Sequence, residues 1–147
     1  MMQIQLIREF ASKAIGDRVT IARKRMSNNW GMDINNKPNP RLLVPSVINY
    51  IPEEEDVAFR EDFVNRCPLA NNFSDITLAI LHELGHWATR KEIDWIEDDE
   101  IKRDAAFSVY FDIPSEYIAT EWAINWLATY EHRKLARDFE AQLFSHN

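Results

Sequence analysis

Two histidines four residues apart, His82 and His86, stand in a run that is apolar on nearly every side: Ile76, Leu78, Ile80, Leu81, Leu84, Trp87 and Ala88. A helix turns about 100° per residue, so residues four apart lie about 40° from each other and one turn along the axis. Both imidazoles can therefore reach one metal ion. Glu83 is about 100° round from His82, flanks the same face, and can touch a water near the ion without ligating it. Two nitrogen ligands, an open position and a carboxylate able to take a proton from water are what zinc-assisted hydrolysis requires. A helix apolar almost all round is a buried one, and imidazoles and a carboxylate inside it are costly unless something satisfies them. Ala79, one turn before Glu83, leaves room beneath an ion.

With 147 residues, 46% hydrophobic and 12% aromatic, the chain suffices for one domain with a real core, spanning 1–147. Its net charge of -7 disfavours binding to nucleic acid or to an anionic membrane, both of which need an excess of Lys and Arg. The basic cluster Arg18, Arg23, Lys24 and Arg25 reads as a solvated face. Cys67 is the single cysteine, so no internal disulfide can form; a core thiol in a reducing compartment is expected. No run approaches the roughly twenty apolar residues of a membrane span, and residues 1–10 lack a signal-like apolar stretch. The expected location is the cytoplasm.

The order of patterns predicts an α+β domain. A helix from Ile4 to Ile15 is stopped by Gly16-Asp17, and Val19 to Ile21 suggests a short strand, with a helix over 21–26 as the alternative. Residues 27–31 and 35–40 are turn-rich. Residues 41–51 form the best strand candidate; Pro45 within it demands an edge strand or two short pieces, and an exposed edge could accept a peptide as an added strand. Pro52 followed by four acidic residues opens a short helix ending before Pro68. The motif helix is capped by Ser74 or Asn72 and runs to about Arg90 or Lys91. A helix over 99–110 and one opened by Ser115 and continuing to Phe144 complete the pattern. Residues 1–70 thus supply a helix and a small sheet, and 71–147 the metal-binding helices.

A catalytic zinc typically takes three protein ligands. The extended motif with a third histidine would need Gly at 89 and His at 92, where the chain has Thr89 and Glu92. Beyond His82 and His86 only His132 and His146 remain. Glu121 is the preferred third ligand: Trp122, Ile124 and Trp126 would anchor its helix, and Asn125, one turn on, could hydrogen-bond the carboxylate or a substrate carbonyl. Glu116 lies about 140° from Glu121 around the helix, so the two cannot face one ion together; His132 lies roughly 16 Å further along. Tyr117, one turn before Glu121, is the first candidate for an oxyanion donor, with Tyr110 and His132 behind it.

The segment His82-Glu83-Leu84-Gly85-His86-Trp87, with Glu121-Trp122-Ala123-Ile124-Asn125-Trp126-Leu127-Ala128 after it, resembles the gluzincin-type metallopeptidases of mobile elements. The ImmA/IrrE family pairs such a motif with Glu-x-x-Ala-Asn-x-Phe-Ala, matched here by Glu121, Asn125 and Ala128, with Ile124 and Leu127 replacing Ala and Phe. ArdC-type antirestriction proteins and related polyvalent phage proteins carry a similar domain, and Trp87 and Thr89 look more like theirs. The resemblance covers roughly Ser74 to His132. It implies a zincin core, a small sheet over the motif helix, with Zn²⁺ held by His82, His86 and Glu121, Glu83 as general base, and a peptide or protein substrate. Two alternatives stand beside it: an inactive zincin acting as an antirestriction-type binding module against a host protein, and a structural protein without metal.

Overall fold

The computed structural model describes residues 2–24, 29–46, 48, 54–105, 110 and 112–145. The first helix, α1 (Met2–Ile15), buries Ile7, Phe10 and Ala11, whose spacing makes one face. Gly16, at a φ of +67°, ends it in the left-handed region that favours glycine. Three strands follow, β1 (Thr20–Lys24), β2 (Gly31–Asp33) and β3 (Arg41–Pro45), in the order β1-β3-β2. The β1-β3 pair is parallel, with Ile21 opposite Leu42; the β2-β3 pair is antiparallel, with Met32 also opposite Leu42.

The strand containing Pro45 is therefore the central one and not an edge; of the other expectation, two short pieces, the first is β3, while residues 47 and 49–51 of the second lie outside the described residues. Pro45 occupies the last residue of β3, opposite Lys24, so its missing N–H falls where the ladder closes. Leu42 and Val44 point into the core. The edge next to the motif helix is β2, a three-residue strand that starts at the last residue of the turn-rich stretch 27–31 and continues into residues for which no element is expected.

After the sheet come α2 (Glu54–Arg66), a 3-10 turn at Pro68–Asn72, and the motif helix α3 (Asp75–Ala88). Ser74 caps α3, its hydroxyl accepting from the Thr77 N–H at 3.2 Å. Glu140, from the last helix, accepts from the Ser74 N–H and, at 2.6 Å, from the Thr77 hydroxyl, placing negative charge at the positive end of α3. Cys67 is buried as a core thiol. Helix α4 (Trp95–Asp104) begins four residues before the expected start because Asp94 caps it.

The expected long C-terminal helix is two helices, α5 (Pro114–Trp126) and α6 (Tyr130–Phe144). Thr129 divides them, its hydroxyl accepting from the His132 N–H, and α6 returns along α1, stacking Phe139 on Phe10 with ring centroids 4.3 Å apart. The two ends of the chain thereby share one core. Ser115 does not cap α5. Ile113 holds that position with Pro114 at the first turn, and Ser115 donates its N–H and hydroxyl to Asp98 of α4, at 2.8 and 2.7 Å. Among the described residues no helix is long and apolar enough to cross a membrane.

The closest packing in the fold joins α3 to α5. Gly85 faces Ala119 so tightly that a Cβ at position 85 would overlap the Ala119 carbonyl oxygen. The three nearest atoms, the O, C and Cα of Ala119, belong to the neighbouring helix and its backbone cannot swing aside. Gly85→Ala is expected to cost at least about 2 kcal/mol of stability, read as a lower midpoint in urea. An unchanged midpoint would contradict this packing.

Candidate metal centre

Helix α3 presents His82 and His86 on one face, and the crossing at Gly85 brings α5 against it. Opposite the histidines, α5 presents Glu116, Ala119, Thr120 and Ala123, all buried. The Glu116 Oε1 atom lies 3.2 Å from His82 Nε2 and 3.0 Å from His86 Nε2. These three side chains are the group able to hold a metal ion among the described residues. Their spacing fits one: donors about 2.0–2.1 Å from a tetrahedral zinc stand about 3.3 Å from each other. His82 Nδ1 is 2.9 Å from Thr120 Oγ1, a hydroxyl able to accept a hydrogen bond from the Nδ1–H when Nε2 turns a lone pair to an ion. Phe59 of α2 packs edge-on to the His82 ring, and Tyr110 donates to Glu116 Oε2 at 3.3 Å.

Burial and charge work against each other here. Burial pushes the Glu116 carboxyl up, but the hydrogen bonds from His82 and His86 overcome it and hold Glu116 well below the usual carboxylate range. Burial would lower the affinity of His86 for its proton; the hydrogen bond to Glu116 and the charge of Glu83 more than reverse that, and its pKa is raised. Glu83 is raised by burial, with His86 and His82 pulling the other way. Glu83, His86 and Glu116 open onto a cleft of about 260 Å³, walled by Trp30, Met32 and Ile34 around β2 and by Trp95 and Lys102 of α4.

The structure brings together His82, His86 and Glu83 as the motif implies, and corrects the third partner. Glu121 is on the opposite side of α5, its side chain 49% exposed and 3.9 Å from Arg66. Tyr117 shares that outer face, under the Arg66 guanidinium at 4.0 Å, and Asn125 is exposed on it too. None of the three touches the histidines. His132 stacks on Trp126 and bonds its carbonyl, away from the site; His146 lies outside the described residues. The 140° separation of Glu116 and Glu121 was sound, but it selects the other carboxylate.

The tryptophans do not mark the inner face of α5. Trp126 packs toward α1, donating its indole N–H to the Ala14 carbonyl, and Trp122 is only partly buried. Small residues mark the face that meets α3. The sequence carries that face as Ala119 and Ala123, three and seven residues after Glu116, which is helical spacing.

Comparison of the chain with protein-family models, curated proteins and solved structures finds no match.

A metal ion at these donor atoms competes with protonation of His86, whose pKa is raised. Binding of Zn²⁺ is expected to strengthen as pH rises, through the ordinary imidazole value of 6.5 and above it, until the raised pKa of His86 is passed. The metal-free protein responds in the opposite sense. A raised His86 pKa gives stability that is full below 6.5 and lost as pH rises through the folded value. The depressed Glu116 gives stability present above 4.5 and lost as pH falls through its folded value. Metal-free stability should thus be greatest between these limits. Titration with a chromophoric chelator checks the metal arm, and it also tests the ligand set: Glu116→Gln should weaken Zn²⁺ binding at least about a hundredfold, and Glu121→Gln should leave it unchanged.

Proposed function

We propose that this chain is a zinc-dependent metallopeptidase of narrow specificity, in the manner of the mobile-element gluzincins it resembles, with His82, His86 and Glu116 as the metal ligands. The observation that carries the reading is Glu83. Its carboxyl lines the cleft beside a buried His-His-Glu group, a position that a purely structural metal site has no need of. Two imidazoles and one carboxylate are a donor set used by hydrolytic zinc enzymes, in which a fourth position stays open. A bound zinc ion supplies Lewis acidity, lowering the pKa of an adjacent water and polarising a carbonyl.

The chain's own residues do the rest. Thr120 fixes the His82 ring through Nδ1. Glu83 takes a proton from the attacking water and hands it to the leaving amine; its elevated pKa, caused by burial, suits a group that must both accept and release one. Tyr110, whose hydroxyl reaches Glu116 in the same cleft, replaces Tyr117 as the candidate oxyanion donor. The outer edge of β2, flanked by Trp30, Met32 and Ile34 in the cleft wall, offers backbone groups to an extended peptide. A cytoplasmic setting and a host-directed role on a phage or other mobile element belong to the same proposal.

The net charge of -7 favours a second reading, a binding module that imitates nucleic acid toward a host protein and leaves the peptidase chemistry unused. Glu83→Gln separates the two. The zinc-loaded variant should keep its metal while cleavage of a proteome-derived peptide library falls at least about a hundredfold. Parental cleavage by the variant would remove Glu83 from the mechanism.

A further inference from the structure

The cleft has a wall whose chemistry the hydrolytic step does not use. Trp95, Asp98 and Lys102 recur at spacings of three and four, so they share one face of α4. Asp98, in the middle, is 1% exposed and accepts from both the N–H and the hydroxyl of Ser115. Ser115 immediately precedes Glu116. The bond that seats α4 is therefore one residue from the metal group, and α4 is fixed relative to it. Trp95 is fixed as well, its indole N–H donating to the Arg90 carbonyl at 3.0 Å. Lys102, one turn beyond Asp98, lines the cleft with Glu83, His86, Tyr110 and Glu116.

Among the described residues that line the cleft, Lys102 is the one lysine or arginine, while Lys24, outside that lining, also acts on Glu83. Helix α4 is rich in carboxylates, with Glu97, Asp98, Asp99, Glu100 and Asp104. Asp98 and Asp99 stand at the two spacings from which a helical lysine is usually paired. Yet Asp98 is committed to Ser115, and among the described residues Lys102 forms no ion pair. It lines a cleft in which Trp30, Met32 and Ile34 are apolar and cannot compete for its ammonium.

We propose that Lys102 is a specificity residue that binds a carboxylate of the substrate close to the scissile bond, making this an enzyme for acidic peptides. The inference rests on the metallopeptidase reading above. The carboxylate can come from an Asp or Glu side chain or from the C-terminus of the peptide. Trp30, Met32 and Ile34 would receive the apolar part of the same segment.

The test compares two metal-directed probes on the zinc-loaded full chain by calorimetry: succinic acid monohydroxamate, which carries a free carboxylate, and the uncharged butyric hydroxamate. The wild type should bind the anionic probe about tenfold more tightly than the neutral one, the scale of one charge-assisted hydrogen bond. Lys102→Met should abolish the preference and Lys102→Glu reverse it, with zinc content unchanged in both. Equal preference in all three proteins, with zinc bound, overturns the role of Lys102 and leaves the metallopeptidase reading standing. Failure of the wild type to bind zinc overturns that reading, and this inference falls with it. Cleavage of peptide libraries with free and amidated C-termini then separates the sources. Sites next to internal Asp or Glu assign the carboxylate to a side chain; sites confined to the end of free-acid peptides assign it to the terminus.

Discussion

One carboxylate oxygen facing two imidazole nitrogens, inside the protein, is the constraint that the rest of the structure serves. Leaving Glu116, His82 and His86 buried without partners would cost several kcal/mol each by the ordinary penalty for dehydrating polar groups. They are tolerable only at mutual distances near 3 Å, which requires two helix axes to approach closely. Gly85 and Ala119 make that approach possible; Ala123 continues the same small-residue face. The surroundings hold the crossing in place. Glu140 reaches from α6 to the first turn of α3, and Asp98 reaches from α4 to the first turn of α5. Each helix that carries a site residue is thus pinned at its N-terminus by a carboxylate from another helix, where the helix dipole favours negative charge.

The motif helix was readable because its information is local. Its cap, its apolar envelope and the i, i+4 histidines all lie within one element, and α3 forms where that pattern predicts. The partner helix was readable as a helix but not as an oriented one. Its aromatic residues and its small residues both have helical spacing, and either could face the core. Aromatic side chains bury more area, which favoured Trp122 and Trp126 and hence Glu121. The deciding factor was proximity, because a carboxylate can reach two imidazoles on a neighbouring helix only from a face thin enough to let the backbones meet. Glycine in the middle of the motif, at position 85, was the clue that its partner must present a small residue as well.

The sheet shows the same division. Proline in residues 41–51 correctly announced an interruption in the ladder, but whether that interruption lies at an edge or at an end depends on where the neighbouring strands stop. Because β1 and β2 both pair with β3 within Arg41–Pro45, the proline limits the length of the sheet rather than its width. The consequence falls on the cleft. A short β2, paired on one side only, becomes the strand beside α3, and Trp30, Met32 and Ile34 line the cleft around it. The pairing of α4 with α5 through Asp98 and Ser115 was not legible, because the two residues are 17 apart and nothing local marks them as partners.

The metal-free centre also explains how the chain can fold before it meets an ion. Glu116 stays ionised and His86 takes up a proton more readily than an ordinary imidazole, so a proton supplies the positive charge that the carboxylate needs. A divalent ion entering the same space replaces one cation by another between the same donor atoms. Thr120 can serve His82 in either case, donating its hydroxyl to an unprotonated Nδ1 or accepting from a protonated one. Folding and metal loading would therefore be coupled through the protonation of His86, and the energetic demand on an ion would be to outcompete a proton. That is a smaller demand than assembling the site from an unfolded chain, where the binding free energy must also supply the ordering of two helices.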